Sequence, residues 1–239
     1  MGIFNFLKKR DDVPCFSVPH EAVPASFGMI EDRIEILRYI IDADPRGHLS
    51  LCHRIDLLAM WNDVDKVERF CFEFVKRFQH IWYDNLSNDN TLFTMLTQVN
   101  DYLYLHKGSK EMFSKLGHSF QDHLMQLLSG EHRQAAYIGL AAQSLSYIIA
   151  YDAEMIFGID EYAGEDDDVF DYEGWSPGFY SSMAYSGGNP FLGEGDLQLR
   201  KKFWNMFLDT FVAFSDPKAD LVIEPVLDYS KDNCALLSK

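Results

Sequence analysis

A spacing is the strongest constraint in this sequence. Between Asp63 and Trp82, the residues Val67, Cys71, Phe74, Phe78 and Ile81 recur at steps of four, three, four and three. That repeat marks one face of a helix, so 63–82 is expected to be an amphipathic helix with a buried stripe. The same pattern predicts a helix over 29–43, through Ile30, Ile34, Leu37, Ile40 and Ile41. It predicts another over 49–61, with Leu51, Ile55, Leu58 and Ala59 on one side. Three more follow: 91–107, opened by the polar cluster SNDN and stopped at Gly108; 110–129, stopped at Gly130; and 132–157, stopped at Gly158. The last strong helix is 196–215, with Asp196 as N-cap and Phe203, Trp204, Phe207, Leu208 and Phe211 as its apolar face. Nothing reads as a hairpin or a βαβ unit. The chain is therefore expected to be all-α, a single-domain bundle of about seven helices.

Around this domain, placed at 26–215, the ends are different. Residues 1–25 carry Pro14, Pro19 and Pro24 with little periodicity and read as an extended arm. Residues 216–239 read as a tail, in which Pro225 argues against a central strand. Within the domain, 159–195 reads as a long irregular insertion before the last helix. Loops of that length are usually functional or disordered.

A formal net charge of −16 excludes classes of partner. Phosphate backbones and anionic membrane surfaces require a basic face, so no nucleic acid and no membrane is expected. An acidic field steers basic proteins or cations instead. Residues 134–151 lack charge, but Gln143, Ser144 and Ser146 interrupt the run, so it reads as a buried central helix. The N-terminal charges follow the short apolar run, which reverses the order of a signal peptide, and Phe6 stands where myristoylation wants Ser or Thr. A cytoplasmic location is expected. The four cysteines show no C-x-x-C spacing, and Cys52 and Cys71 are expected to be free thiols packed as small hydrophobes.

The segment GEDDDVFDYEGW (164–175) raises the functional question. It mixes like charge with large aromatics, and it admits three readings: a carboxylate metal site, a disordered spacer, or a contact surface for a basic partner. Calcium loops of the EF-hand kind alternate their ligands around a central Gly and end in Glu, which this stretch does not do. G-x-S-x-G, Walker A, a Rossmann fingerprint and H-E-x-x-H are all absent from the sequence. His118 with His123, and His48 with His53, are five apart and fall on different helical faces, so neither pair builds a zinc site. The glycine-flanked aspartate signature of a helical ADP-ribosylhydrolase is missing as well. No catalytic residue, metal ligand or cofactor is indicated. A solvated spacer would lack Phe170, Tyr172, Trp175, Phe179 and Tyr180. Aromatics beside acids suit an interface, whether with a partner or with the protein's own helices. The basic trio Arg200, Lys201 and Lys202 lies at the positive end of the last helix. It calls for acidic compensation, with Glu194, Asp196 or the 165–173 run nearest.

Three stretches together resemble a known family: PRGHLSLCHRIDLLAMW (45–61), AAYIGLAAQSLSYIIAYD (135–152) and NPFLGEGDLQLRKKFWNMFLDTFVAF (189–214). Their order is similar to the fifth numbered family of all-helical bacterial immunity proteins that accompany polymorphic toxins. The resemblance implies a non-enzymatic protein that binds a cognate toxin effector domain and blocks it. Joined to the residue reading, it places the contact on Asp166, Asp167, Asp168, Asp171 and Glu173, facing a basic active site, with Phe170, Tyr172 and Trp175 as apolar anchors. On that view the aspartates are exposed, and neutralising Asp166, Asp167 and Asp168 together should leave the melting temperature unchanged or slightly raised. A metal-dependent helical hydrolase using the acidic loop and a non-catalytic adaptor are the alternatives.

Overall fold

Each predicted stripe becomes a buried seam. The computed structural model describes residues 27–151, 166–169, 176–216 and Val226. Its helices are α1 (Phe27–Ala43), α2 (Leu51–Ala59), α3 (Val64–Arg77), α4 (His80–Asn85), α5 (Thr91–Leu105), α6 (Lys110–Ser129), α7 (Arg133–Tyr151), α8 (Pro177–Ser186) and α9 (Leu197–Ser215). No strand occurs among the described residues. The fold is all-α.

α7 is the central helix that its uncharged sequence foretold. Buried residues surround it on every side, from Ala135 and Ile138 to Leu145 and Ile149. It packs against α3, α4, α5, α6 and α8. Close approach depends on Gly139, where an added Cβ would lie 2.4 Å from Leu124 Cδ2 and 2.7 Å from Trp82 Cζ3. An aromatic core fills the space between α3 and α9. Phe70 and Phe74 meet Phe207 edge-on, with ring centroids 5.0 and 5.2 Å apart. Trp61 closes one end by stacking on Phe211 at 4.4 Å.

Local details depart from the sequence reading in four places. The helix expected over 63–82 is two helices in succession. At their junction Phe78 and Gln79 donate to Val75 and Lys76 three residues back, a tighter turn that ends α3 while keeping Phe78, Ile81 and Trp82 buried. α5 ends at Leu105 with His106, not Gly108, in the left-handed cap at φ 52°. Cys52 is disulfide-bonded, whereas Cys71 is the buried free thiol expected. Burial, reinforced by Glu68, pushes the Cys71 thiol up to about 12, so it stays protonated.

The largest departure lies inside the supposed irregular insertion. Residues 177–186 form α8, with Ser176 accepting from the Phe179 amide, Pro177 at the first turn and Gly187 closing it at φ 88°. This helix is buried almost throughout and lies between α7 and α9. Phe179 and Tyr180 are therefore anchors within the fold. Of the remaining insertion, 159–165 and 170–175 lie outside the described residues, as do 1–26 and nearly all of the tail.

Candidate functional site

The acidic run meets the helices at a cluster built from four parts of the chain. After α1 ends, Asp44 binds the Arg46 amide at 2.6 Å and turns the chain towards His48. α2 then carries Arg54 in line with Leu51 and Leu58, on its buried side. A short 3-10 turn, Asp167–Val169, supplies the acids, and Ser176 at the start of α8 completes the group.

Asp167 is the centre. Its side chain is 1 % exposed, and Oδ2 accepts from Arg54 Nη2 and lies 3.0 Å from His48 Nε2. Arg54 also donates from Nη1 to Ser176 Oγ at 2.8 Å. A guanidinium and a carboxylate buried together neutralise each other, which is the condition for holding either inside a protein. Asp166 sits at the edge and does three things with Oδ1. It accepts from the Leu51 amide at 3.0 Å, accepts from the Asp167 amide at 2.9 Å, and lies 3.3 Å from His48 Nε2. Since the N-cap Ser50 makes no side-chain cap bond, Asp166 supplies the anion that the first turn of α2 needs. Arg46 Nη2 approaches its other oxygen at 3.8 Å.

His48 presents Nε2 to both carboxylates, so Nε2 carries the proton. Its ring is gripped edge-on by Phe179, Phe191 and Trp204 at 5.3–5.4 Å between centroids. The Arg54 guanidinium lies over Trp204 at 5.1 Å, and that of Arg46 over Phe191 at 4.6 Å. Positive charge thus rests on aromatic faces while the acids cap it from the loop side.

Could this cluster hold a metal? Ligand atoms of His48, Asp166 and Asp167 come within 4.8 Å of one another. A cation there would compete with the Arg54 guanidinium already on Asp167 and would require Nε2 to give up its proton. The donor set fits a cation poorly. Its chemistry is that of a charged latch fastening the loop to α2.

The latch sets a pH dependence. Burial opposes ionisation of Asp166, but the His48 contact, the Leu51 amide and the Arg54 charge outweigh it and hold the carboxyl well below the usual range. A depressed carboxyl stabilises the fold fully above its unfolded value, near 4, and loses that contribution as pH falls below it. Urea unfolding from about pH 6 to about pH 3 should therefore show a steeper loss for the parent than for Asp166→Asn. Parallel curves would remove Asp166 from the latch.

The predicted contact residues are placed unequally. Asp166 is partly buried and Asp167 fully so, whereas Asp168 and Val169 face solvent. The expectation of an exposed aspartate run thus holds for Asp168 alone among the three. Arg54 provides a counter-charge, and His48 Nε2 a hydrogen-bond donor, that the neighbouring sequence does not reveal. Phe170, Asp171, Tyr172, Glu173 and Trp175 lie outside the described residues. Arg200 meets the expectation of acidic compensation at a distance: against burial, the Asp196 and Asp44 charges favour its ionised form, while its direct hydrogen bonds go to carbonyls. Nη1 donates to the Arg46 carbonyl at 2.9 Å, and Nη2 to those of Glu194 and Gly188. It clips the 188–194 turn to the segment before α2 without touching the acidic loop. Lys201 donates to the Asp42 carbonyl, and Glu194 pairs with Arg133.

Sequence reading missed His48, Arg54 and Ser176. The signal for Arg54 was present, since a charged residue in line with Leu51 and Leu58 on a buried stripe demands a partner. No helix of the described residues is long and apolar enough to cross a membrane. The family model described as immunity protein Imm5 matches residues 34–214, which include α2, the latch and most of α9. No curated protein matches the chain significantly.

Proposed function

The chain belongs to the Imm5 immunity protein family, and we propose that it binds a cognate antibacterial toxin in the cytoplasm and neutralises it by occluding a basic active site. It acts by binding, not by catalysis. The observation that carries this reading is the division of the acidic run. Asp166 and Asp167 turn inward and fasten the loop, while Asp168 and Val169 face solvent at the same place. A fastened loop presents its outward groups in one arrangement, which lowers the ordering cost of binding. In this scheme Asp168, Asp171 and Glu173 meet the basic rim of the toxin, and Phe170, Tyr172 and Trp175 supply apolar contact. Asp166 and Asp167 act through the loop's position. The poor fit of the cluster to a cation weighs against the hydrolase alternative.

Pull-down of the tagged protein from its native host should recover one stoichiometric toxin. Asp168→Asn should then slow association and weaken its salt dependence, with the melting temperature unchanged, because exposed charges act mainly on encounter. Trp175→Ala should instead speed dissociation, as expected for an anchor. Recovery of no toxin, or full protection and unchanged low-salt kinetics in both variants, would count against the loop as the inhibitory surface.

A further inference from the structure

We infer that the outer face of α1 is a second docking surface for the toxin, fitting a protein that presents an apolar pocket within a basic rim. The inference rests on the toxin-binding reading above and extends it to a surface separate from the loop.

α1 is divided cleanly along its length. Ile30, Ile34, Leu37 and Ile41 form the buried side that faces the core. On the opposite side, at helical spacing, stand Glu31, Asp32, Glu35, Ile36, Tyr39 and Asp42, all exposed. Ile36 and Tyr39 are three residues apart and so adjacent on the surface, at 60 % and 75 % exposure. Tyr39 is the most open of the exposed large hydrophobics among the described residues. Single apolar residues on a surface need no explanation, but a neighbouring aliphatic and aromatic pair rimmed by charge has the make-up of an interface centre.

The charge of this face follows from how the cations of α1 are used. Arg33 is drawn to Asp56 on α2 at 2.7 Å. Arg38 is drawn to Asp209 and Asn205 on α9 at 2.6 and 2.8 Å. Both arginines are thus turned to neighbouring helices. Among the described residues no cation reaches Glu31, Asp32 or Glu35, and only Lys201 approaches Asp42, at 3.8 Å. The outer face is left acidic, so its occupant carries basic groups around the site that receives Tyr39 and Ile36. The face also leads towards the loop. Two residues beyond Asp42, Asp44 holds Arg46, which reaches Asp166. A second copy of so acidic a chain would be repelled, which leaves a basic protein as the occupant.

The test uses the purified, catalytically inactivated toxin domain recovered in the pull-down and follows its binding kinetics to the full chain. Ile36→Ala with Tyr39→Ala should weaken binding about tenfold or more, chiefly through faster dissociation. Glu31→Lys, Asp32→Lys and Glu35→Lys together should slow association several-fold at low salt, with the difference shrinking as salt rises. Leu105→Ala, which removes another half-exposed apolar residue on α5, should bind as the parent does. Melting temperatures close to the parent's keep these readouts separate from folding. Parent-like dissociation of the Ile36 and Tyr39 variant overturns the inference even if the lysines slow association, since distant charges also steer. A toxin that binds with no response to either set overturns it and leaves the toxin-binding reading standing. Recovery of no toxin removes both.

Discussion

Asp167→Ala is expected to lower the unfolding free energy by about 3–5 kcal/mol, the cost typical of breaking a buried ion pair from one side. The side chains of Arg54 and Asp167 are 4 % and 1 % exposed. Removing the carboxylate strands the guanidinium and leaves the His48 Nε2 proton with only the more distant Asp166 oxygen. Neutralising all three aspartates is therefore expected to destabilise the fold, where the run read from its neighbours alone predicts no loss. Reciprocal replacement separates the explanations. Arg54→Met with Asp167→Ala should recover much of the loss, because an apolar pair of similar volume dispenses with both desolvated charges. Urea denaturation with linear extrapolation supplies the numbers. If Asp167→Ala costs less than about 1 kcal/mol, the latch contributes no more than a surface ion pair would.

Trp204→Ala should cost a similar amount, about 3–5 kcal/mol for a large aromatic removed from a packed core. The ring is fully buried. It meets Phe203 and Phe207 at 4.9 and 5.6 Å, and on its other side it supports His48 and Arg54. Its Nε1 has no hydrogen-bond partner among the described residues, so Trp204→Phe forfeits no hydrogen bond to them and should be much milder than truncation. Since Trp204 underlies the latch, its loss and that of Asp167 should not add. The double variant is expected to be less destabilised than the two single losses combined. Strict additivity would mean that the aromatic core and the latch are energetically independent.

Helices were legible in this sequence wherever burial is one-sided. The stripes of α1, α3 and α9 announce themselves, because a helix with a wet face must alternate. α8 did not, because it is short and, unlike the equally buried but longer and more apolar α7, gives much of its length to Ser and Gly. Its boundary signals, Ser176–Pro177 and Gly187, were nonetheless present. The split between α3 and α4 was hidden for a different reason. A tightened turn at Phe78 costs no apolar contact, so the periodicity runs on across the break. The acidic run was the least legible element. Four adjacent acids look solvated when judged from their neighbours, and the groups that draw two of them inward stand more than a hundred positions earlier, with 119 residues from His48 to Asp167 and 113 from Arg54.

Those separations also bear on synthesis. The Leu51 amide waits for an acceptor 115 residues downstream. Chain leaves the ribosome at roughly 5–20 residues per second, so α2 spends several seconds as a nascent segment without Asp166 at its first turn or Asp167 beside its arginine. During that interval Arg54 has neither acid of the latch and is best accommodated facing water, with α2 not yet seated. Closing so long a loop carries a large entropic cost that only the finished contact repays. The seating of α2 thus depends on a segment made more than a hundred residues after α2 itself.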